Sequence, residues 1–256
     1  MIEKIKPLLE QTEAEKNIKI LYAVESGSRA WGFASTNSDW DVRFIYIHHP
    51  DWYLSIDDKK DSIEIMFPYD IDVAGWEIRK ALKLFRKSNP PLLEWLRSPS
   101  IYLENKSLVT DLRQLSNLYF NPKSCLHHYL HMAHRNYLEY LQKDMVRIKK
   151  YFYVLRPVLA CSWIEEYNTM APMEFQELVR TQVKDPEVKK SIDKLLERKI
   201  AGEELNEEPR IEILHAFVES KIHYYLEYVK KISVIDKTDT EKLNELFRKT
   251  LKNAWI

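Results

Sequence analysis

The pattern of hydrophobic and polar positions changes character near residue 104. Before that point, short runs of β-branched and aromatic residues are separated by polar turns, a pattern typical of buried strands. Amphipathic stretches around these runs predict helices. We therefore expect a small mixed sheet with helices packed against it. The predicted strands cover 18–24, 39–47, 62–67, 69–73 and 101–103, and the predicted helices cover 1–17, 75–88 and 91–97, with a short helical turn beginning at 29.

The second part of the chain carries helical signals almost throughout. Apolar residues recur at helical spacing over 108–118 and again over 211–229. A chain of 256 residues, 45% of them hydrophobic, is long enough for two domains. The predicted fold class is therefore α+β, with a mixed-sheet domain over 1–103. An all-helical domain over 104–256 follows it and closes a cleft against it.

Two aspartates follow a glycine–serine turn. Gly27 and Ser28 interrupt the first strand pattern, and Asp39 and Asp41 open the second strand about a dozen residues later. Side chains alternate along a strand, so these two carboxylates and Arg43 share one face. Mg²⁺ is usually held by one or two carboxylates together with substrate phosphates. A glycine turn before a helix also lets the backbone approach a phosphate. The arrangement predicts metal-dependent nucleotidyl transfer, and the sequence leaves open whether Arg43 contacts phosphates or pairs with a carboxylate.

The same residues carry a family resemblance. Gly27-Ser28 followed by Asp39-x-Asp41 on the next strand resembles the signature of the DNA polymerase beta nucleotidyltransferase superfamily. A longer match is similar to one subgroup, the predicted nucleotidyltransferases associated with phage RNA ligase. Its positions are 27–33, 35, 38–39, 41–46, 75–82, 89–90, 93–96 and 150–157.

The resemblance implies a polymerase beta-like fold and a two-metal site that uses Mg²⁺ or Mn²⁺. It implies a third carboxylate on a later strand, for which Asp72 is the best match because it precedes the Gly75-Trp76 element. Asp70 has the same strand parity, and Glu64 is a weaker third option. The activity implied is transfer of a nucleoside monophosphate from a nucleoside triphosphate such as ATP to a hydroxyl, with RNA or tRNA among the acceptors suggested. The nucleotide-binding residues implied in the first domain are Gly27, Ser28, Arg29, Ser38 and Arg43.

A basic and aromatic stretch lies in the second domain. A helix carrying Lys149 and Lys150 next to aromatic residues could place ammonium groups on a triphosphate and a ring against a base. A solvated basic face over an aromatic core explains the same spacing. The family resemblance favours the first interpretation, with Lys150 as the leading triphosphate contact and Lys149 behind it. Tyr151 or Tyr153 would then stack on the base.

Two other functions compete with this one. His127, His131 and His134 fall on one helix face and could share a zinc ion in a hydrolase, although no glutamate lies between the first two as a general base. A binding module of the same fold could instead sense nucleotide without chemistry. Retention of all three carboxylates argues against that alternative.

Composition narrows the remaining choices. The 39 basic and 39 acidic residues cancel, which argues against a broad nucleic-acid-coating surface but allows a local basic groove. Cys125 and Cys161 are far apart, so we expect two reduced thiols rather than a disulfide framework. The chain opens with a charged amphipathic pattern instead of a signal peptide, and no apolar run approaches a membrane span of ~20 residues. We expect a cytoplasmic protein without a membrane partner.

Overall fold

Helices and strands alternate along the first hundred residues, and helices dominate thereafter. The computed structural model describes residues 2–203, 205–233 and 239–255, so Met1 of the predicted first helix lies outside it. The helices are α1 Ile2–Lys16, α2 Gly27–Ala30, α3 Pro50–Tyr53, α4 Ile78–Arg86, α5 Pro90–Trp95, α6 Lys106–Tyr119, α7 Pro122–Tyr140, α8 Lys150–Tyr167, α9 Phe175–Gln182, α10 Pro186–Ile200, α11 Glu212–Lys231 and α12 Glu241–Ala254. The strands are β1 Ile18–Glu25, β2 Trp40–His48, β3 Ser62–Phe67, β4 Ile71–Glu77, β5 Ile101–Glu104, β6 Met145–Arg147 and β7 Glu207–Pro209.

A mixed sheet with the strand order β3-β4-β2-β1-β5 organises the N-terminal part of the described chain. Strands β2 and β4 run parallel, and the other neighbouring pairs are antiparallel. Because β2 and β4 are parallel, their first residues lie side by side, with Asp41 opposite Asp72. The antiparallel β1 ends at the same edge, where Glu25 lies opposite Val42. The turn after β1 and the starts of β2 and β4 therefore meet at one end of the sheet.

Buried side chains cover both faces of this sheet. One face packs under α1, where Ile5 and Leu9 contact inward-facing residues of β1 and β2 such as Val42. The opposite face joins a larger core in which sheet residues such as Tyr22 pack with α4, α5 and the C-terminal helices. This core extends across the predicted boundary at residue 103. The division into two domains stays a prediction.

The predicted α+β mixed sheet is confirmed, and the strands lie within a few residues of their predicted positions. The predicted helix over 75–88 begins too early, since β4 continues to Glu77 and α4 begins at Ile78. Gly75 is needed in the strand because a Cβ atom there would lie 2.3 Å from the ring of Phe44 on β2. Glu77 then accepts a hydrogen bond from the Arg79 amide and caps α4. Asp72 is thus the second residue of β4 and does not directly precede a helix.

The C-terminal half is not entirely helical. A short antiparallel ladder pairs β6 with β7, and Arg147 lies in this ladder, opposite Glu207. Helix α8 begins only at Lys150 and continues through Pro157 to Tyr167. Proline is unfavourable inside a helix, but the residues around Pro157 are buried, and their packing stabilises the helix. Among the described residues, no helix is both long and apolar enough to cross a membrane.

Candidate active site

The turn after β1 lies directly against the Asp41 carboxylate. The Ser26 amide donates a 2.8 Å hydrogen bond to the Asp41 carbonyl oxygen, which fixes the turn on β2. Gly27 has φ +59°, in the left-handed region that favours glycine. A Cβ atom on Gly27 would lie only 2.0 Å from Asp41 Oδ2. A glycine is therefore required for both the backbone conformation and the space taken by the carboxylate.

Arg43 links the carboxylates of two neighbouring strands. Its Nη2 lies 2.9 Å from Asp41 Oδ1 and 2.8 Å from Asp72 Oδ2. Its Nη1 donates to the Asp72 carbonyl oxygen at 3.0 Å. Arg43 thus pairs with carboxylates, one of the two roles that the sequence left open. Asp70, the alternative to Asp72, lies instead in the β3–β4 turn with φ +55°.

Glu25, which was not predicted as a site residue, hydrogen-bonds to the backbone of Asp41. Its side chain is buried, with Oε1 accepting from the Asp41 amide at 3.0 Å and Oε2 accepting from the Tyr102 hydroxyl. Burial raises the pKa of Glu25, although the Tyr102 hydrogen bond opposes the shift. No local motif marks Glu25, because its partners come from the strands on either side.

The loop before β2 is held by Arg29 and Ser38. The guanidinium of Arg29 donates to the carbonyl oxygens of Ser38 at 2.6 Å and Asp39 at 3.0 Å, and it lies 3.7 Å from the Trp40 ring centroid. The Ser38 hydroxyl accepts from the Ser35 amide at 3.0 Å. Arg29 therefore fixes the loop that presents Asp39.

Lys199, in the last turn of α10, reaches the same loop from far along the chain. Its Nζ lies 3.4 Å from Ser38 Oγ and 3.5 Å from Ser35 Oγ. Burial lowers the pKa of Lys199, and the positive charges of Lys149 and Arg29 act in the same direction. The sequence analysis missed Lys199 because no motif surrounds it.

These elements enclose a cavity of about 370 Å³ between the sheet end and the N-terminus of α8. Eight of the expected site residues, counting Tyr153, line it, while Arg29, Asp72, Lys150 and Tyr151 do not. The lining includes Gly27, Ser28, Ser38, Asp39, Asp41, Arg43 and Lys149, together with Trp31, Tyr153 and Lys199.

The two tyrosines predicted to stack on a base differ in how far their side chains are exposed. Tyr151 is 0% exposed, and its hydroxyl accepts a 3.1 Å hydrogen bond from the Ile211 amide. It is therefore not available to a base. Tyr153 is 44% exposed, lines the cavity and meets the Trp31 ring edge-on at 6.4 Å. Lys150 lies outside the cavity, over the ring of Tyr140 at 3.9 Å.

Carboxylates and lysine ammonium groups line the same cavity. Burial raises the pKa of Asp41; Arg43 opposes this shift, and the negative charges of Asp72 and Asp39 add to it. Burial also raises the pKa of Tyr153, with Asp41 and Asp39 contributing. The cationic wall is formed by Lys149 and Lys199. A ligand that combines a cation with a polyanion would satisfy both walls.

The acidic wall offers oxygen donors alone, which suits a hard divalent cation such as Mg²⁺ or Mn²⁺. Arg43 Nη2 contacts both Asp41 and Asp72, so the two carboxylates converge on one cationic nitrogen. The donor set fits such an ion in its chemistry. In the conformation described, however, no three His, Cys, Asp or Glu side chains of the described residues are grouped to hold a metal.

The histidine face that was predicted as a zinc site lies on α7. His127, His131 and His134 line a groove between α7 and α11, with Arg135 and Lys230 nearby. Within the described ranges they form no metal-binding group. The structure gives the zinc hydrolase no support.

Comparison with known proteins assigns the chain to a family. The family model described as RlaP, RNA repair pathway DNA polymerase beta family, matches residues 1–249. The uncharacterized protein YcgL of Bacillus subtilis (strain 168) is 48% identical over 255 residues, spanning 100% of this chain and 98% of that protein. A crystal structure of a nucleotidyltransferase-like protein from Exiguobacterium sibiricum 255-15 is 11% identical, covers 98% of this chain and 89% of that chain, and has a TM-score of 0.34, too low to bear on the fold. Since the family model and the Bacillus relative both cover nearly the whole chain, the protein belongs to the RNA repair pathway DNA polymerase beta family, a polymerase beta-like group of nucleotidyltransferases.

Proposed function

We propose that the protein transfers a nucleoside monophosphate from a nucleoside triphosphate to a hydroxyl acceptor. The observation that carries the proposal is the meeting of Asp41 and Asp72 at the starts of two parallel strands, with Asp39 beside them and the Gly27-Ser28 turn against Asp41. Membership of a nucleotidyltransferase family supports this interpretation.

The cavity suits the donor nucleotide. Lys149 and Lys199 line the cavity together with the carboxylates and would bind the β- and γ-phosphates, while Ser28 and Ser38 offer hydroxyls in the same lining. The Trp31 indole Nε1 is buried and has no hydrogen-bond partner among the described residues. Tyr153 lies next to Trp31 and would contact the base.

The carboxylates carry the chemistry. Asp39, Asp41 and Asp72 would hold Mg²⁺ or Mn²⁺, which when bound neutralises the charge on the phosphates and stabilises the attacking and leaving oxygens. Asp72 would accept the proton of the acceptor hydroxyl at a carboxylate oxygen as that hydroxyl oxygen bonds to the α-phosphorus. The bond between the α-phosphorus and the bridging oxygen breaks, and pyrophosphate leaves. Arg43 orients Asp41 and Asp72 for these roles.

RNA is the acceptor that the family description favours, since it names an RNA repair pathway. The protein's equal numbers of acidic and basic residues do not oppose an RNA acceptor, because a local basic surface is enough. Transfer RNA is therefore among the first acceptors to test.

Incubation with each α-³²P-labelled nucleoside triphosphate, Mg²⁺ or Mn²⁺ and candidate acceptors including tRNA tests the proposal. Wild-type protein should transfer label, and Asp41→Asn should abolish the transfer. Asp51→Asn is a matched control, since this aspartate side chain is 87% exposed in α3, beyond the other end of β2. Unchanged transfer by Asp41→Asn, or no transfer by the wild type to any acceptor, would contradict the proposal.

A further inference from the structure

A lysine lies between two tyrosines where α7 ends and α8 begins. Lys150 Nζ is 3.9 Å from the ring centroid of Tyr140 and 5.0 Å from that of Tyr153. Arg147, on the exposed end of β6, flanks them and acts electrostatically on both Lys150 and Tyr140. We call these four residues, Tyr140, Arg147, Lys150 and Tyr153, the tyrosine–lysine strip.

The strip joins the candidate active site at one end. Tyr153 lines the cavity with Asp39 and Asp41, and Lys149, next to Lys150 in sequence, lines it too. At the other end Tyr140 lines the groove between α7 and α11. Lys150 itself does not line the cavity, so its charge lies outside the space that a donor triphosphate would fill.

The strip carries two positive charges, on Arg147 and Lys150. Within the described chain, Arg147, Lys149 and Lys150 form no ion pair with a carboxylate, whereas many other surface cations are paired. Glu139 acts on Lys150 at longer range, and its closest cationic partner is Arg135 at 3.9 Å. A polyanion would gain from this charge without displacing an existing ion pair.

We propose that the tyrosine–lysine strip binds a single-stranded polynucleotide acceptor and leads its terminal hydroxyl to the carboxylates. Proteins that bind single strands combine cations for the backbone with aromatic rings on which bases stack. Arg147 and Lys150 supply the cations, and Tyr140 and Tyr153 supply the rings. Bases must be unstacked from a partner strand to reach such rings, so a duplex binds less well. This inference rests on the proposed function, because it gives that site its acceptor.

Fluorescence anisotropy with a labelled ten-nucleotide RNA, free or annealed to its complement, tests the strip without catalysis. Wild-type protein should bind the single strand more tightly than the duplex. Lys150→Met and Tyr140→Leu should each weaken single-strand binding by about tenfold, the loss expected for one stacked base or backbone contact. The affinity for nucleoside triphosphate, measured by calorimetry on the same variants, should not change.

Two control variants match the chemistry of the changes. Lys4→Met removes a lysine that also lies over a tyrosine, Tyr69, but on α1 at the opposite face of the sheet. Tyr167→Leu removes a tyrosine of α8 that is as exposed as Tyr153 but lies at the far end of that helix. Both should bind RNA like the wild type.

The possible failures separate the strip from the proposed function. Unchanged RNA binding by Lys150→Met and Tyr140→Leu, equal binding of duplex and single strand, or no RNA binding by the wild type overturns the strip, even where label transfer is observed. Weaker triphosphate binding by Lys150→Met also overturns the strip, because that result would show that Lys150 binds the donor triphosphate. Loss of RNA binding in the strip variants without label transfer by the wild type supports the strip and overturns the transfer reaction alone.

Discussion

Gly27 and Asp41 are in such close contact that a methyl group cannot be added between them: a Cβ atom at Gly27 would lie 2.0 Å from Asp41 Oδ2. The contact links the turn that follows the first strand to the carboxylate that begins the second. It also means that the position of Asp41 depends on a residue without a functional group.

Gly27→Ala should therefore damage activity through geometry. The new methyl group would displace the Asp41 carboxylate, and the left-handed backbone at φ +59° would cost about 1–2 kcal/mol. We expect label transfer to fall at least a hundredfold, together with a modest loss of stability in urea denaturation.

Gly32→Ala separates these two effects. Gly32 has φ +83°, but a Cβ atom there would meet no described atom within 4 Å. This variant should lose a similar amount of stability and keep its activity. Equal loss of activity in both variants would show that backbone strain, and not the Asp41 contact, is responsible.

Some residues of the candidate site could be predicted from the sequence, and others could not. Strand alternation was enough to place Asp41 and Arg43 on one face, because that parity is local. Asp72 lies on another strand and was predicted from the family resemblance. Lys199 and Glu25 act through partners from other elements, which no local pattern reports. Tyr151 and Tyr153 lie about 200° apart around a helix, so they point to nearly opposite sides. The sequence does not tell which of the two is buried, because the packing of α8 decides that.

Lys199→Met should weaken binding of the donor through its phosphates. Lys199 lies at the cationic wall with Lys149, and loss of a charge-assisted hydrogen bond weakens binding by roughly tenfold. Calorimetry should show this loss for nucleoside triphosphate and little change for nucleoside monophosphate. Lys194→Met, on an exposed position of the same helix, is the control and should bind both ligands normally. An equal loss for monophosphate would place Lys199 away from the phosphate tail.

The pH dependence of stability should report Glu77. This carboxylate is buried, accepts from the Tyr53 hydroxyl at 2.7 Å and from the Arg79 amide at 2.9 Å, and burial raises its pKa from 4.5. The folded protein thus holds this proton more tightly than the unfolded chain. The contribution of Glu77 to the free energy of unfolding is complete below pH 4.5 and falls as the pH rises through the raised pKa.

Glu77→Gln should remove that contribution. Urea denaturation at several pH values from 4.5 upward should give a flatter dependence for the variant than for the wild type. Glu25 titrates in the same direction and remains in both proteins, so the difference between the two curves isolates Glu77. Parallel curves would contradict the assignment.

Arg156 should be the most costly charge to remove from the helical core. It is 1% exposed, its Nη1 lies 2.8 Å from Glu94 Oε1, and its guanidinium packs 4.5 Å from the Trp31 ring centroid. Glu94 also accepts from the Tyr129 hydroxyl. Arg156→Met leaves Glu94 as an uncompensated buried carboxylate, which costs about 3–5 kcal/mol.

A double-mutant cycle separates the coupling free energy between Glu94 and Arg156 from the loss of stability caused by leaving one of them unpaired. Glu94→Leu combined with Arg156→Met removes both charges, so the double variant should be more stable than Arg156→Met alone. Unfolding free energies from urea denaturation give the coupling. If the two single losses add, Glu94 and Arg156 do not act as a pair. A strong coupling would instead show that Glu94 and Arg156, whose guanidinium packs against the cavity residue Trp31, stabilise the fold as a pair.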